Sequence, residues 1–137
     1  MIKILQWNIN GYTNNYHFLQ ILIKSKSPKI IFLQETHLTK TNNIPIPINF
    51  TLCHINSSSQ SKRGVVILIH NSIQHTKLNT QSEFETIILE IILTKELIST
   101  KKFNLITTYF SPRINFATSI LHNILDSHNN NNNTHNR

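Results

Sequence analysis

The sequence has little of several features that would narrow its chemistry. Cys53 is the only cysteine in 137 residues, so neither an intrachain disulfide nor a zinc site built from cysteines can form. No apolar run approaches the roughly 18 residues that a membrane span needs, and polar residues interrupt the first turns. We therefore expect no signal peptide, no contact with a membrane and an intracellular protein.

Acidic residues are scarce as well. The chain has 6 Asp and Glu against 13 Lys and Arg, which gives a formal net charge of +7 and a pI near 9.8. A positive balance favours a polyanionic partner such as nucleic acid, because binding releases counterions. Asn, Thr, Ser and Ile are abundant, however, and an AT-rich genome would produce the same bias. Charge alone therefore does not identify the partner.

The order of apolar segments predicts an α/β fold. A strand over 2–7 is followed by a turn at 11–15, a helix that stops before Ser27-Pro28, and a buried strand over 29–34. A strand, a helix and a strand in succession predict a parallel pair. The remaining prediction is of strands at 50–55, 65–70, 86–93 and 103–109, a serine-rich loop at 56–64, a loop around 95–102, a helix over 114–125 and a disordered Asn-rich tail at 129–137.

Polar residues follow the first two predicted strands at the point where each strand ends. Asn8 follows the first strand and Glu35 follows the second, so we expect both at the same edge of the sheet. A carboxylate beside a carboxamide suits a hard cation such as Mg²⁺. Two ordinary alternatives stay open, an Asx-turn for Asn8 and a solvated loop carboxylate for Glu35. Asn10 is expected to be a turn or supporting residue.

Four motifs occur in a recognisable order. They are Asn-Ile-Asn-Gly at 8–11, Gln-Glu-Thr-His at 34–37, Gly-Val-Val-Ile-Leu-Ile at 64–69 and Thr-Tyr-Phe-Ser-Pro at 108–112. Together they resemble the first half of an endonuclease/exonuclease/phosphatase domain. More narrowly, they are similar to the apurinic-type endonuclease of non-long-terminal-repeat retrotransposon polyproteins, of the LINE or jockey kind.

This resemblance implies a fold in which residues 1–128 make part of a four-layer α/β sandwich. The chain would supply roughly one sheet with flanking helices. The inner face of that sheet would have nothing to cover it, so we expect self-association through this face.

The resemblance also implies a function and site residues. The family member would be a Mg²⁺-dependent endonuclease, with Mn²⁺ as an alternative metal, that nicks DNA in the nucleus for target-primed retrotransposition. Glu35 and Asn8 would be the metal ligands, Asn8 would also be catalytic, and the Tyr109 phenol would contact the phosphate. The ordinary alternative for Tyr109 is an aromatic cap on the core.

Other motifs of the family do not occur in this sequence. A Gly-Asp-Phe-Asn segment, a later Ser or Thr and Asp region and a terminal Asp-His pair would complete the site. We therefore expect an N-terminal portion that is inactive alone, because residues that act as a unit lose activity steeply when some are removed. The alternative is a non-catalytic basic nucleic-acid-binding or interaction relic of a mobile element.

Further basic residues and histidines complete the candidates. Lys62, Arg63 and Arg113 are candidate contacts to a DNA backbone, with simple solvation as the alternative. His37 and His70 do not match the position of the essential histidine in the family. They are expected to be surface or packing residues.

Overall fold

The computed structural model describes residues 1–38, 43–55, 64–80, 85–95, 99–109 and 125–126. Within these residues the elements follow in the order β1 (Ile4–Asn8), α1 (Tyr12–Lys26), β2 (Ile30–Gln34), β3 (Phe50–Ile55), β4 (Val65–His70), β5 (Gln74–Leu78), β6 (Glu85–Lys95) and β7 (Ser99–Tyr109). Residues 56–63 of the serine-rich loop predicted at 56–64, most of the helix predicted over 114–125 and the tail predicted at 129–137 lie outside the described residues.

Strands β1 to β4 form the first sheet, in the order β1-β2-β4-β3. Strands β1 and β2 are parallel and place Asn8 opposite Gln34, as the strand–helix–strand pattern predicted. Strand β4 runs antiparallel to both of its neighbours. Strand β2 is thus an interior strand, which agrees with its continuous apolar run.

Strands β5 to β7 form the second sheet, which is antiparallel. Strands β6 and β7 pair from Glu85↔Tyr109 to Lys95↔Ser99. The predicted loop around 95–102 is therefore wrong in part, because the ladder continues through most of that segment. Strand β5 was not predicted, since its sequence is polar and lacks an apolar alternation.

The buried side chains of β4 alternate between two core clusters, one on each face of the first sheet. Val66 and Leu68 face α1, where they cluster with Leu19. Val65, Ile67 and Ile69 face the second sheet and contribute to a cluster with Ile87, Leu89 and Ile91. The described residues thus form three layers, with a helix, a sheet and a second sheet, and the α/β class is confirmed.

Two sequence expectations need correction here. The strands do not make roughly one sheet, and the inner face of the first sheet is not uncovered, because β6 and β7 pack on it. An alternating apolar pattern shows that a strand buries one face. It does not show whether the strand belongs to the first sheet or to a second sheet that packs on it. The reason given for self-association is therefore lost.

In the part of the chain that the structure describes, we find no helix that is both long and apolar enough to cross a membrane.

Candidate functional site

The end of β1 places Asn8 at an exposed edge of the first sheet. Asn8 is exposed, and the next residue, Ile9, is buried and donates its N–H to the Gln34 carbonyl at 3.0 Å. Asn10 and Gly11 then adopt positive φ angles of 46° and 106°. The chain therefore turns sharply into α1 and leaves the Asn8 side chain at the sheet edge.

Asn15, in the first turns of α1, supports this change of direction. Its Nδ2 donates to the carbonyl oxygens of Ile9 at 2.8 Å and Asn10 at 3.3 Å. Asn15 is not among the residues that the sequence predicted for this site. A carboxamide shortly after an Asn-Gly turn was the available signal, because Asn side chains readily bond nearby backbone groups.

The end of β2 places Glu35 against the beginning of α1. Glu35 adopts a φ of 51°, and His37 two residues later adopts 53°. The Gly11 N–H donates to the Glu35 carbonyl at 2.8 Å, so the backbone of this turn satisfies an N–H group at the helix start. A left-handed conformation costs a non-glycine residue about 1–3 kcal/mol and persists only where its surroundings enforce it.

Tyr109, the last residue of β7, reaches Glu35 from the second sheet. Its phenol Oη donates to Glu35 Oε1 at 3.4 Å, and both residues are half-buried. This distance is long for an O–H···O bond, for which about 2.7–2.8 Å is typical. The phenol is therefore held at the carboxylate loosely enough to donate to a different acceptor.

The ends of three strands thus meet at one edge, which we call the Glu35 rim and define as Asn8, Glu35 and Tyr109. The contact between Tyr109 and Glu35 joins residues that are 74 positions apart. Asn8 belongs to the rim through its register with Gln34, the residue before Glu35. The structure brings these three sequence-predicted site residues to the same end of the two sheets.

Glu85 is a second carboxylate beside the rim that sequence reasoning missed. It begins β6 directly opposite Tyr109, and one of its carboxylate oxygens, Oε2, is buried. Directly opposed residues of an antiparallel pair project to the same face, so Glu85 shares the face of Tyr109 that meets the first sheet. No sequence signal separates Glu85 from an ordinary residue before a strand.

Of the remaining candidates, His70 lies at the opposite end of the first sheet from Glu35, because β4 runs antiparallel to β2. His70 ends β4, where its backbone N–H donates to the Lys29 carbonyl at 2.8 Å and its Nδ1 accepts from the Ser72 N–H at 3.1 Å. Burial lowers the pKa of His70, and the nearby Lys29 ammonium lowers this pKa further. His37 is exposed. Lys62, Arg63 and Arg113 lie outside the described residues.

The donor types at the rim fit a hard cation that keeps much of its water. Glu35 offers carboxylate oxygens and Asn8 a carboxamide oxygen. Among the described residues, no group of three or more His, Cys, Asp or Glu is placed to hold a metal ion. Magnesium suits such a small set, because it takes oxygen ligands and usually retains several waters.

The sequence matches one family model over most of its length. This is the Endonuclease/Exonuclease/phosphatase family, matched by residues 5–133. No curated protein matches the sequence.

Solved structures with the same fold include a catalytic domain and two AP endonucleases. The catalytic domain of Xenopus laevis APE2 is 18% identical with a TM-score of 0.64, and the match covers 79% of this chain and 45% of that one. The AP endonuclease LMAP from Leishmania major is 17% identical with a TM-score of 0.61, and the match covers 94% of this chain and 46% of that one. An AP endonuclease from Archaeoglobus fulgidus is 21% identical with a TM-score of 0.51, and the match covers 66% of this chain and 37% of that one.

At these identities the likeness establishes the fold alone. The predicted α/β sandwich of the endonuclease/exonuclease/phosphatase type is thereby confirmed. The chain spans less than half the length of each of these structures.

Proposed function

Because the chain belongs to the endonuclease/exonuclease/phosphatase family, we propose that it supplies the N-terminal part of a Mg²⁺-dependent endonuclease that nicks DNA. The observation that carries this proposal is the contact of 3.4 Å between the Tyr109 phenol and the Glu35 carboxylate, at the end of the strand beside Asn8. Two of the structurally similar proteins are named AP endonucleases, which supports DNA as the substrate.

Two residues of the Glu35 rim bind the metal and the third binds the phosphate. The Glu35 carboxylate and the Asn8 carboxamide supply oxygen ligands for the cation. The Tyr109 phenol donates a hydrogen bond to a phosphoryl oxygen, where negative charge develops in the transition state. A bound Mg²⁺ would polarise the scissile phosphate and stabilise the leaving 3′ oxygen. Tyr109 can make this change of acceptor because its bond to Glu35 is long.

We also propose that the chain alone nicks DNA far more slowly than longer members of the family. It spans 45% and 46% of two similar solved structures, and its sequence lacks the Asp-His pair that the resemblance assigns to water activation. Catalytic groups that act as a unit lose most of their effect when some are missing. The residues of the four motifs resemble those of retrotransposon endonucleases, and this resemblance supports a retrotransposon context and a nuclear site of action.

A second candidate function is non-catalytic binding of nucleic acid, and the net charge of +7 favours it. Attraction between a basic protein and phosphates requires no divalent cation. The two functions therefore differ in whether Glu35 and Mg²⁺ act together on DNA.

The experiment measures binding of a fluorescent DNA duplex by anisotropy in Mg²⁺ and in EDTA. The variants are Glu35→Gln and the matched control Glu90→Gln, which removes the same charge from a carboxylate on β6 that pairs with Lys102 on β7. We expect Mg²⁺ to tighten binding several-fold for the wild type and for Glu90→Gln, and to have no effect on Glu35→Gln. Binding by the wild type that is equal in Mg²⁺ and EDTA would favour the non-catalytic function.

Nicking of supercoiled plasmid is the second readout of the same preparations. We expect slow nicking by the wild type that EDTA and Glu35→Gln both abolish. Nicking that survives either treatment would contradict a role for Glu35 in holding the cation.

A further inference from the structure

Gly64, directly before β4, is in close contact with the residue that follows Glu35. A Cβ atom placed on Gly64 would lie only 2.7 Å from Thr36 Oγ1, and the φ of Gly64 is +138°. Thr36 is 2% exposed, and a β-branched side chain has little freedom about χ1 to move aside. Position 64 therefore excludes a side chain for two reasons, namely the collision and the backbone conformation.

The backbone of Thr36 is bound from two sides. Its N–H donates to the Gly64 carbonyl at 3.2 Å, and its carbonyl accepts from the Tyr12 N–H at 2.8 Å. The preceding Glu35 carbonyl accepts from the Gly11 N–H at 2.8 Å. The turn that carries Glu35 is thus tied to the start of β4 and to the start of α1.

We propose that Thr36 and Gly64 are positioning residues that fix the Glu35 carboxylate at the rim. Because Gly64 has no side chain, the start of β4 approaches closely enough for the Thr36 bond to form. That bond and the Tyr12 bond hold Glu35 in its left-handed conformation, with its carboxylate facing Tyr109. Neither residue touches the cation or the DNA, and the part of this inference that concerns the cation rests on the proposed function.

The rigidity of the turn that carries Glu35 affects the affinity for the cation, because ordering a mobile ligand costs free energy. A carboxylate on a mobile turn must be ordered when the cation binds, whereas a fixed one is ordered beforehand. Substitution of the residues that orient a metal ligand typically lowers metal affinity about 10- to 100-fold. We expect a loss in this range when the contact between Thr36 and Gly64 is disturbed.

The test is a double-mutant cycle with Gly64→Ala, Thr36→Ala and the double variant. The matched control is Thr86→Ala, which removes the same atoms from a fully buried threonine that bonds Thr108 on the opposite face of the second sheet. Amide hydrogen exchange at Gly11, Tyr12 and Thr36 reports the turn directly and needs no metal. Calorimetric titration with Mn²⁺ reports the affinity, and circular dichroism reports whether each variant is folded.

We expect Gly64→Ala to lose protection at these three amides and to bind Mn²⁺ about 10- to 100-fold more weakly. The double variant should be less impaired than the two single effects predict together, because Thr36→Ala removes the atom that collides. Thr86→Ala should leave the three amides and the Mn²⁺ affinity unchanged.

The proposal is overturned if Gly64→Ala keeps wild-type protection, or if the two substitutions act independently. If Gly64→Ala does not fold, the double variant decides, because it lacks the colliding Oγ1 but still carries a side chain at a φ of +138°. Wild-type exchange at Gly11 and Tyr12 in the double variant would then overturn the proposal. A wild type that binds no Mn²⁺ while the exchange results hold would refute the proposed function and leave the positioning of Glu35 established.

Discussion

Among single residues, Tyr109 contributes the phenol that joins the two sheets at the Glu35 rim. It connects the end of β7 with the carboxylate at the end of β2 through a bond of 3.4 Å. Tyr109→Phe keeps the ring and removes only the donor. Since the bond is long and both groups are half-buried, we expect a loss of about 1 kcal/mol or less in the free energy of unfolding.

The effect of Tyr109→Phe on cleavage should be much larger than its effect on stability. Removal of one hydrogen-bond donor to developing negative charge typically lowers the rate about 10²- to 10³-fold. The measurement is the plasmid nicking rate in Mg²⁺ beside a urea titration of the same protein. A variant that nicks at the wild-type rate would show that Tyr109 is only an aromatic cap on the core.

His70 should make the folded chain sensitive to mild acid. Burial and Lys29 lower its pKa below the unfolded value of about 6.5, so the native state resists protonation. As the pH falls below that value, the unfolded state binds more protons than the native state and the free energy of unfolding decreases. The contribution of His70 is present in full above about pH 6.5 and is lost as the pH falls toward its lower native pKa.

Urea titrations at pH 7.5 and 5.5 test the role of His70. We expect His70→Gln to lose less stability between these pH values than the wild type does. His17→Gln, a substitution at an exposed position on α1, should retain the wild-type dependence. Equal pH dependence in the wild type and His70→Gln would contradict this role.

The sequence was sufficient for the residues of the rim and not for their supports. Asn8, Glu35 and Tyr109 each end a strand or follow its end, so strand position and motif order were enough to predict that they lie at one edge of the fold. Their roles stay a prediction. Thr36, Gly64 and Asn15 act through contacts with other turns. Those contacts depend on which strand ends meet, which a local pattern does not reveal.

Among elements, α1 shows that the burial of a side chain determines how much its substitution lowers the free energy of unfolding. Leu19 is fully buried against the first sheet, whereas Ile21 on the same helix is 60% exposed. We expect Leu19→Ala to reduce the free energy of unfolding by about 2–5 kcal/mol, because it leaves a cavity. Ile21→Ala should change it by about 0.5 kcal/mol or less.

Urea denaturation of the two variants tests this assignment of the faces of α1. The two substitutions remove a similar side chain from one helix, so a difference in helix propensity does not explain unequal results. Similar losses for Leu19→Ala and Ile21→Ala would show that α1 does not lie on the first sheet as described.

The elements that the sequence predicted are those with the clearest apolar pattern. The strands β1 to β4, β6 and β7 and the helix α1 follow from continuous runs or periodicity. Strand β5 is polar, and hydrogen bonds to β6 rather than an apolar face determine it. The division of the strands between two sheets also escaped prediction, because it depends on which apolar faces meet.

For the whole molecule, the net charge of +7 predicts DNA binding that weakens strongly with salt. The logarithm of the association constant should fall linearly with the logarithm of salt concentration, by about 0.9 for each phosphate contact. Four contacts would lower the affinity about 100-fold between roughly 50 and 200 mM salt. Anisotropy titrations in EDTA measure this slope, and a slope near zero would contradict binding through the phosphate backbone.

The proposed function requires that the Glu35 rim bind a divalent cation in this chain. The most direct test is a titration of the labelled protein with Mn²⁺, followed by paramagnetic broadening of its amide NMR signals. We expect the amides of Asn8, Glu35 and Tyr109 to broaden first, and we expect Glu35→Gln but not Glu90→Gln to prevent this. Broadening that centres on another part of the molecule, or that is unchanged in Glu35→Gln, would contradict the proposed function.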